Sequence, residues 1–295
     1  MQRIIDAALA EDLGEPARDV TSRALGSDVA ASAVLVSRDA GIACGLGLLE
    51  PVLEAVARRL GDAGELTGGP AWQVVLEAAD GAAIAPGQQL AAIEGPAHLL
   101  LAAERTILNL VQRMSGIATL TRRYVGAVEG TGVEVLDTRK TTPGLRVLER
   151  HAVRCGGGLN HRAGLYDVAM VKDTHVDALG SITAAIVSVR EASPEVPLVV
   201  EVRSEDELIR ALPFAPAVIL LDNMDRDQLS RCAHAIRRQA ALTGVRIRSE
   251  ASGGITLESA RDIAETGVDR ISVGALTHSA GVLDVAMQVQ AARPG

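Results

Sequence analysis

Among the 29 Lys plus Arg residues of this 295-residue chain, only two are lysines, Lys140 and Lys172. So strong an arginine bias reflects a GC-rich coding composition. A lysine that survives it marks a place where a compact ammonium on a flexible stem is needed and a guanidinium will not serve. Both lysines lie in the densest basic segment, with Arg139, Arg146, Arg150, Arg154, His161 and Arg162. The chain as a whole has a net charge of −8, so a local cationic cluster points to a small anionic ligand rather than to polyanion binding. Arg146, Arg150 and Arg154 have helical spacing and are equally well read as a solvated helix face. That reading is weaker for Arg139-Lys140, which end an apolar run. It is also weaker for His161-Arg162, which follow the bare backbone of Gly156–Gly158.

Further candidates follow the same pattern. Glu201 and Asp222 are carboxylates at the ends of successive apolar runs, suited to a divalent cation, to sugar hydroxyls, or to both. Ser252-Gly253-Gly254, then Thr256 and a helical pattern, offers close backbone approach and N–H groups for a phosphate. Gly274 follows the next apolar run, and phosphate sites in barrels of this kind often lie in the last two loops. His98, His175 and His278 show no zinc spacing. Cys44, Cys155 and Cys232 are odd in number, far apart and without a C-x-x-C pair. That argues against a Cys-rich zinc site and for a reducing cytoplasm. No G-x-S-x-G elbow supports a serine hydrolase.

These residues need elements to hold them. Apolar runs at 133–136, 168–171, 198–202, 218–221, 246–251 and 270–273 alternate with helical patterns at 179–191, 205–212, 226–242 and 257–266. That rhythm predicts parallel βαβ units, and no G-x-G-x-x-G marks a dinucleotide fold. Polar or glycine residues end nearly every run, which favours a barrel, since a barrel gathers strand ends at one rim. The first ~130 residues read as a separate mixed α/β unit. Its helices are at 4–13 and 46–59, its strands at 31–37, 72–78 and 89–94, and a long helix at 98–128 carries Arg105. Hydrophobic residues make up 48% and charged residues 22%, so a sizeable core is expected. Aromatics are 1%: Trp72, Tyr124, Tyr166 and Phe214, too few for a base-stacking surface. The acidic balance disfavours nucleic acid and anionic lipid. No run is long enough to span a bilayer, and the N-terminus has no signal-peptide core.

Several long motifs carry a family likeness. They are Asp137-Thr138-Arg139-Lys140-Thr141-Thr142-Pro143-Gly144, Arg154-Cys155-Gly156-Gly157-Gly158-Leu159-Asn160-His161-Arg162, Lys172-Asp173, Leu221-Asp222-Asn223, Glu250-Ala251-Ser252-Gly253-Gly254 and Val273-Gly274-Ala275-Leu276. With Glu104-Arg105 and the segment near Glu11-Asp12, the chain resembles the quinolinate phosphoribosyltransferases essentially throughout. The family usually has Asn where Thr174 stands.

The resemblance implies an open-faced α/β sandwich over 1–112, completed by a C-terminal helix at 277–295, and an incomplete parallel α/β barrel over 113–276. It implies transfer of phosphoribosyl from phosphoribosyl pyrophosphate to quinolinate with decarboxylation, giving nicotinate mononucleotide, pyrophosphate and CO2 for NAD synthesis. Quinolinate would meet Arg105 of a homodimer partner, Thr138, Arg139, His161, Arg162 and Lys172. The sugar phosphate would meet Ser252, Gly253, Gly254, Gly274 and Ala275, and Lys140 would meet the departing pyrophosphate. Glu201 and Asp222 would serve the ribose and Mg2+. Three rivals stand beside this: the molybdenum-associated paralogue of the family, a barrel lyase using Lys140 or Lys172 as a Schiff base, and a non-catalytic phosphoribosyl-ligand binder.

Overall fold

The computed structural model describes residues 1–25, 29–64, 66 and 71–291. In chain order the elements begin with α1 (Gln2–Leu13), β1 (Ala30–Ser37), β2 (Gly41–Ile42), α2 (Leu49–Asp62), β3 (Gln73–Leu76), β4 (Ala83–Ile84), β5 (Gln89–Pro96) and α3 (Ala97–Ala127). Next come β6 (Glu134–Leu136), α4 (Arg146–Cys155), β7 (Ala169–Val171), α5 (Asp173–Leu179), α6 (Ile182–Ala192), β8 (Leu198–Val202) and α7 (Glu205–Ala211). The chain ends with β9 (Val218–Asp222), α8 (Arg226–Thr243), β10 (Arg248–Ser252), α9 (Leu257–Ala264), β11 (Arg270–Ser272), α10 (Ala275–His278) and β12 (Val285–Ala291). Two compact units result. One comprises Met1–Leu120, Thr142–Gly157 and Ala280–Gly295; the other comprises Thr121–Thr141 and Gly158–Ser279.

In the first unit an antiparallel sheet runs in the order β12-β1-β5-β3. Ala31, Ala33, Leu35 and Ser37 of β1 are buried and alternate with less buried neighbours, the period of a sheet with one covered face. Helix α2 buries Leu49, Val52, Leu53, Val56 and Leu60, and α1 packs on α2 through a face carrying Ile5, Leu9 and Leu13.

The helix expected at 277–295 is not formed. Residues Ala275–His278 make one short turn of helix, and Val285–Ala291 is a strand paired to β1 from Ser37↔Val285 to Ala31↔Ala291. The remainder of that expected helix, residues 292–295, lies outside the described residues. Val285, Met287 and Val289 alternate with Ala286, Gln288 and Gln290, a period of two that suits a strand. The approach to the strand is tied to α3. Arg113 donates to the Ala280 carbonyl (2.8 Å), Leu283 N–H to the Gln112 carbonyl (3.1 Å), and the Gln112 amide to the Val285 carbonyl (2.7 Å). A Cβ at Gly116 would run into the Gly281 carbonyl, so the glycine permits this close approach.

In the second unit six parallel strands run in the order β6-β11-β10-β9-β8-β7. This is the chain order closed on itself, with no β6–β7 pairing among the described residues: an incomplete barrel. Leu159 occupies the free edge of β6 instead. Its N–H donates to the Val135 carbonyl (2.8 Å), and its own carbonyl accepts from Asp137 N–H (3.1 Å). The expected helix at 179–191 is two helices. Gly180, with φ of 80°, ends α5, and Ser181 caps α6 by accepting from Ala184 N–H (3.2 Å). The arginine stretch read as a helix face is α4. No helix among the described residues is long and apolar enough to cross a membrane.

Candidate active site

Alternation along the parallel strands builds a polar site on an apolar floor. Met170, Val199, Val218 and Leu220 form a buried cluster. Two residues further along the same strand faces come Lys172, Glu201 and Asp222, and Ser252 stands level with Asp222 in the register. The strands are parallel, so these side chains emerge at one rim. They line a cavity of about 480 Å³ together with Thr138, Arg139, Lys140, His161, Arg162, Asp173, Asn223 and Ser272. Nine of the residues singled out in the sequence therefore meet in one place.

The charges there are arranged and not merely close. Lys172 Nζ lies 3.2 Å from Glu201 Oε2, and Glu201 is only 9% exposed. Asp222 Oδ2 accepts from the Asn223 side-chain amide (2.8 Å). Asn223 has a φ of 53°, and its N–H donates to the Ser252 carbonyl (2.9 Å). Burial lowers the Arg162 pKa, the like charge of Arg139 lowers it further, and Asp167 and Glu201 oppose the shift. Two guanidiniums this close gain from an anion placed between them.

Two buried carboxylates that the sequence reading placed at strand ends but gave no role in the site flank His161. Asp137 is fully buried and accepts from His161 N–H and from the Asn160 amide, both at 2.6 Å. Glu250, also fully buried, lies 3.2 Å from His161 Nε2 and 3.3 Å from Arg270 Nε. The angles miss hydrogen-bond geometry, so Glu250 acts as a buried countercharge to Arg270 and lies beside the His161 ring. Asp137 stood inside a quoted motif, and the signal was its position one residue past an apolar run. Glu250 likewise begins the motif Glu250–Gly254 at the end of an apolar run, but nothing in the sequence indicated what its carboxylate faces.

Gly253 and Gly254 continue from Ser252 with φ of 100° and 58°. A Cβ at Gly253 would collide with the Asn223 side chain, so this turn requires glycine. Thr256, and not Ser252, caps α9 by accepting from Ser259 N–H (3.3 Å), which leaves the Ser252 side chain to the cavity. A Cβ at Gly274 would come within 3.0 Å of Lys140 Cδ, so the bare backbone gives the lysine its path. Ala275 begins α10. Arg105 is not in this lining. It faces a cavity of about 650 Å³ within the first unit, beside Arg3, Arg113 and Glu149. His175 is local structure: its Nδ1 accepts from Lys172 N–H (3.1 Å).

Thr174 is exposed on the first turn of α5 and does not line the cavity. Thr174→Asn is therefore expected to change turnover by no more than about twofold, the scale of surface substitutions. Steady-state kinetics checks this, and a change of orders of magnitude would contradict it.

Comparisons with known proteins match the chain over nearly its whole length. The family model for the quinolinate phosphoribosyl transferase N-terminal domain matches residues 19–115, and that for the C-terminal domain matches residues 117–288. The chain is 42% identical to the nicotinate-nucleotide pyrophosphorylase (carboxylating) of Mycobacterium leprae, covering 97% of this chain and 95% of that protein. It is 39% identical to a probable enzyme of the same name from Bacillus subtilis, covering 98% and 93%. Among solved structures, NadC from Streptococcus pyogenes superposes with a TM-score of 0.86 at 34% identity, covering 99% of this chain and 96% of that one. The nicotinate-nucleotide pyrophosphorylase from Francisella tularensis gives 0.84 at 32% identity, covering 98% and 95%. With both domain models matched in order and near-complete coverage of its relatives, the chain belongs to the quinolinate phosphoribosyltransferase family.

Proposed function

We propose that this chain transfers the phosphoribosyl group of phosphoribosyl pyrophosphate to quinolinate, with decarboxylation, for NAD synthesis. The observation that carries the reading is the single cavity joining Arg139, Lys140, His161, Arg162 and Lys172 to Glu201 and Asp222. Both substrates are polyanions, and the reacting sugar carbon becomes cationic, so a site for them needs both signs of charge at close range. Arg139, His161, Arg162 and Lys172, with Thr138, take the two adjacent carboxylates of quinolinate. Ser252, Gly253, Gly254, Gly274 and Ala275 take the sugar phosphate.

The ring nitrogen of quinolinate attacks C1 of the ribose. The C1–O bond breaks, and pyrophosphate leaves with the electron pair toward Lys140. Glu201 and Asp222 stabilise the oxocarbenium-like centre. The pyridinium then draws in the electron pair of the neighbouring C–C bond as CO2 departs, and the ring carbon takes up a proton. The donors at Glu201 and Asp222 are all oxygen, with one oxygen of each engaged by Lys172 and Asn223, a set that fits Mg2+ completed by phosphate oxygens. When bound there, Mg2+ would neutralise charge on the pyrophosphate. Arg105 reaches quinolinate in this reading from the second copy of a homodimer. The three free thiols suit a reducing cytoplasm.

The first test is quinolinate-dependent release of pyrophosphate with formation of nicotinate mononucleotide. Its absence would favour the molybdenum-associated paralogue or a binding protein. A Schiff-base lyase built on Lys172 is disfavoured because Lys172 Nζ is engaged by Glu201, and borohydride trapping with a carbonyl substrate tests Lys140. Lys172→Ala is expected to weaken quinolinate roughly ten- to a hundredfold, the scale of a lost charge-assisted contact, and phosphoribosyl pyrophosphate much less. Calorimetry with each ligand measures this, and unchanged quinolinate affinity would remove Lys172 from that subsite.

A further inference from the structure

The first unit holds a second group of chemistry-bearing side chains that the transfer reaction does not use. Cys44, Asp80, His151 and Cys155 each present one ligand atom, and the four atoms lie within 4.8 Å of one another. Asp80 Oδ2 is 3.0 Å from His151 Nε2 and 3.9 Å from Cys44 Sγ, and Cys155 Sγ is 3.4 Å from His151 Nε2. Zinc bonds of ~2.0–2.3 Å set at the tetrahedral angle put ligand atoms roughly 3.3–3.8 Å apart. These three separations straddle that range, and with all four atoms within 4.8 Å of one another, movements of up to about an ångström bring them into it.

The surrounding structure holds the four in place. His151 and Cys155 are one turn apart on α4 and share a face. The backbone of Cys44 is fixed at both ends by Ser115. Its N–H donates to the Ser115 hydroxyl (2.9 Å), which in turn donates to its carbonyl (3.1 Å). Asp80 keeps its orientation because Oδ1 accepts from Leu46 N–H (3.0 Å), leaving Oδ2 toward the cluster. The Asp80 turn is tied to the segment before Cys44 by Gly81 N–H to the Ala43 carbonyl (2.8 Å) and Ala43 N–H to the Ala82 carbonyl (2.9 Å). Gly81, at φ of 88°, lets that turn sit against the Cys155 carbonyl, which its Cβ would approach to 3.4 Å.

We propose that Cys44, Asp80, His151 and Cys155 form a structural zinc site. Two thiolates, one imidazole and one carboxylate are the ligand types zinc takes, and four protein ligands close the tetrahedron without an open catalytic position. Zinc takes the place of the proton between His151 Nε2 and Asp80, and the two thiols lose theirs. Arg154 Nη2 lies 3.4 Å from His151 Nδ1 and swings into solvent when Nδ1 carries the proton, since Arg154 is exposed. The bound ion clamps the C-terminus of α4 to the Cys44 and Asp80 turns within the first unit. The absence of a C-x-x-C pair, read from the sequence as evidence against such a site, excluded only a local one.

The test uses the full chain, stripped with chelator under reducing conditions and titrated with Co2+ and then Zn2+. One Co2+ per chain should give a thiolate charge-transfer band and the intense visible bands of a tetrahedral ion, and Zn2+ should bleach both. Cys155→Ser and Asp80→Asn should weaken zinc by at least the roughly 10–100-fold that loss of a mere supporting partner costs; Cys232→Ser should leave it unchanged. Zinc should raise the Tm of the wild type and not that of Cys44→Ser/Cys155→Ser. Uptake of no metal by the reduced wild-type chain would overturn the proposal. So would a cobalt spectrum that persists in the double variant. Conversion of the two thiols to a disulfide in air, with no metal uptake when reduced, would identify a redox pair instead.

Discussion

Glu250→Ala is expected to lower the unfolding free energy by about 3 kcal/mol, the low end for breaking a buried ion pair. The carboxylate is fully buried between His161 and Arg270, and its removal leaves Arg270 uncompensated in the barrel interior. The low end applies because neither contact has good hydrogen-bond angles. Urea denaturation measures the loss, and Glu250→Gln separates charge from volume: it should recover packing but not the countercharge. Activity should fall as well, because His161 Nε2 then loses the carboxylate beside it, while Asp137 and Arg162 N–H still hold its backbone N–H and Nδ1. If His161 touches quinolinate, KM for quinolinate should rise by about tenfold, the worth of one hydrogen bond, while KM for phosphoribosyl pyrophosphate moves little. Wild-type stability in Glu250→Ala would show that the interior charges are solvated or otherwise paired.

Arg105→Ala and Lys172→Ala chains, each nearly inactive alone, should regain roughly a quarter of wild-type activity when their subunits are exchanged. The argument is the two-fold symmetry of a dimer with shared sites. A mixed dimer puts both defects in one site and neither in the other, and random exchange makes about half of all dimers mixed. Arg105 lies outside the lining of the barrel-end cavity that contains Lys172, so the two positions are separable by mutation. Mixed dimers are confirmed by mass and assayed for nicotinate mononucleotide. Mixed dimers without activity would return Arg105 to its own subunit's cavity, where Arg113 and Glu149 are its neighbours.

Much of the barrel was legible because its signals are local. The six strands fall within a residue or two of the expected apolar runs, since a buried parallel strand is a short apolar stretch in any context. Lys172, Glu201 and Asp222 could be picked out because each ends an apolar run, and parallel strands carry such ends to one rim. The two-lysine argument worked for a related reason: both survive among arginines, and both line the same cavity.

The C-terminal strand was different. Its period of two was present in Val285, Met287 and Val289, but the segment became a strand because β1 offered an edge some 250 residues earlier in the chain, and α3 delivered the backbone to it. The role of Glu250 was hidden for the same kind of reason: its place at the end of an apolar run was legible, but not what it faces. Its burial depends on His161 and Arg270 arriving from other strands and loops. Cys44 and Cys155 are 111 positions apart, and no spacing rule spans that distance. The amino-acid sequence by itself determined the rhythm of helices and strands and the polar residues at the strand ends, because periodicity and chain order are properties of neighbours. Only the tertiary structure decided which strand the C-terminus pairs with, which charges face each other inside the barrel, and which thiols meet, because each is a contact between segments that local sequence cannot bring together.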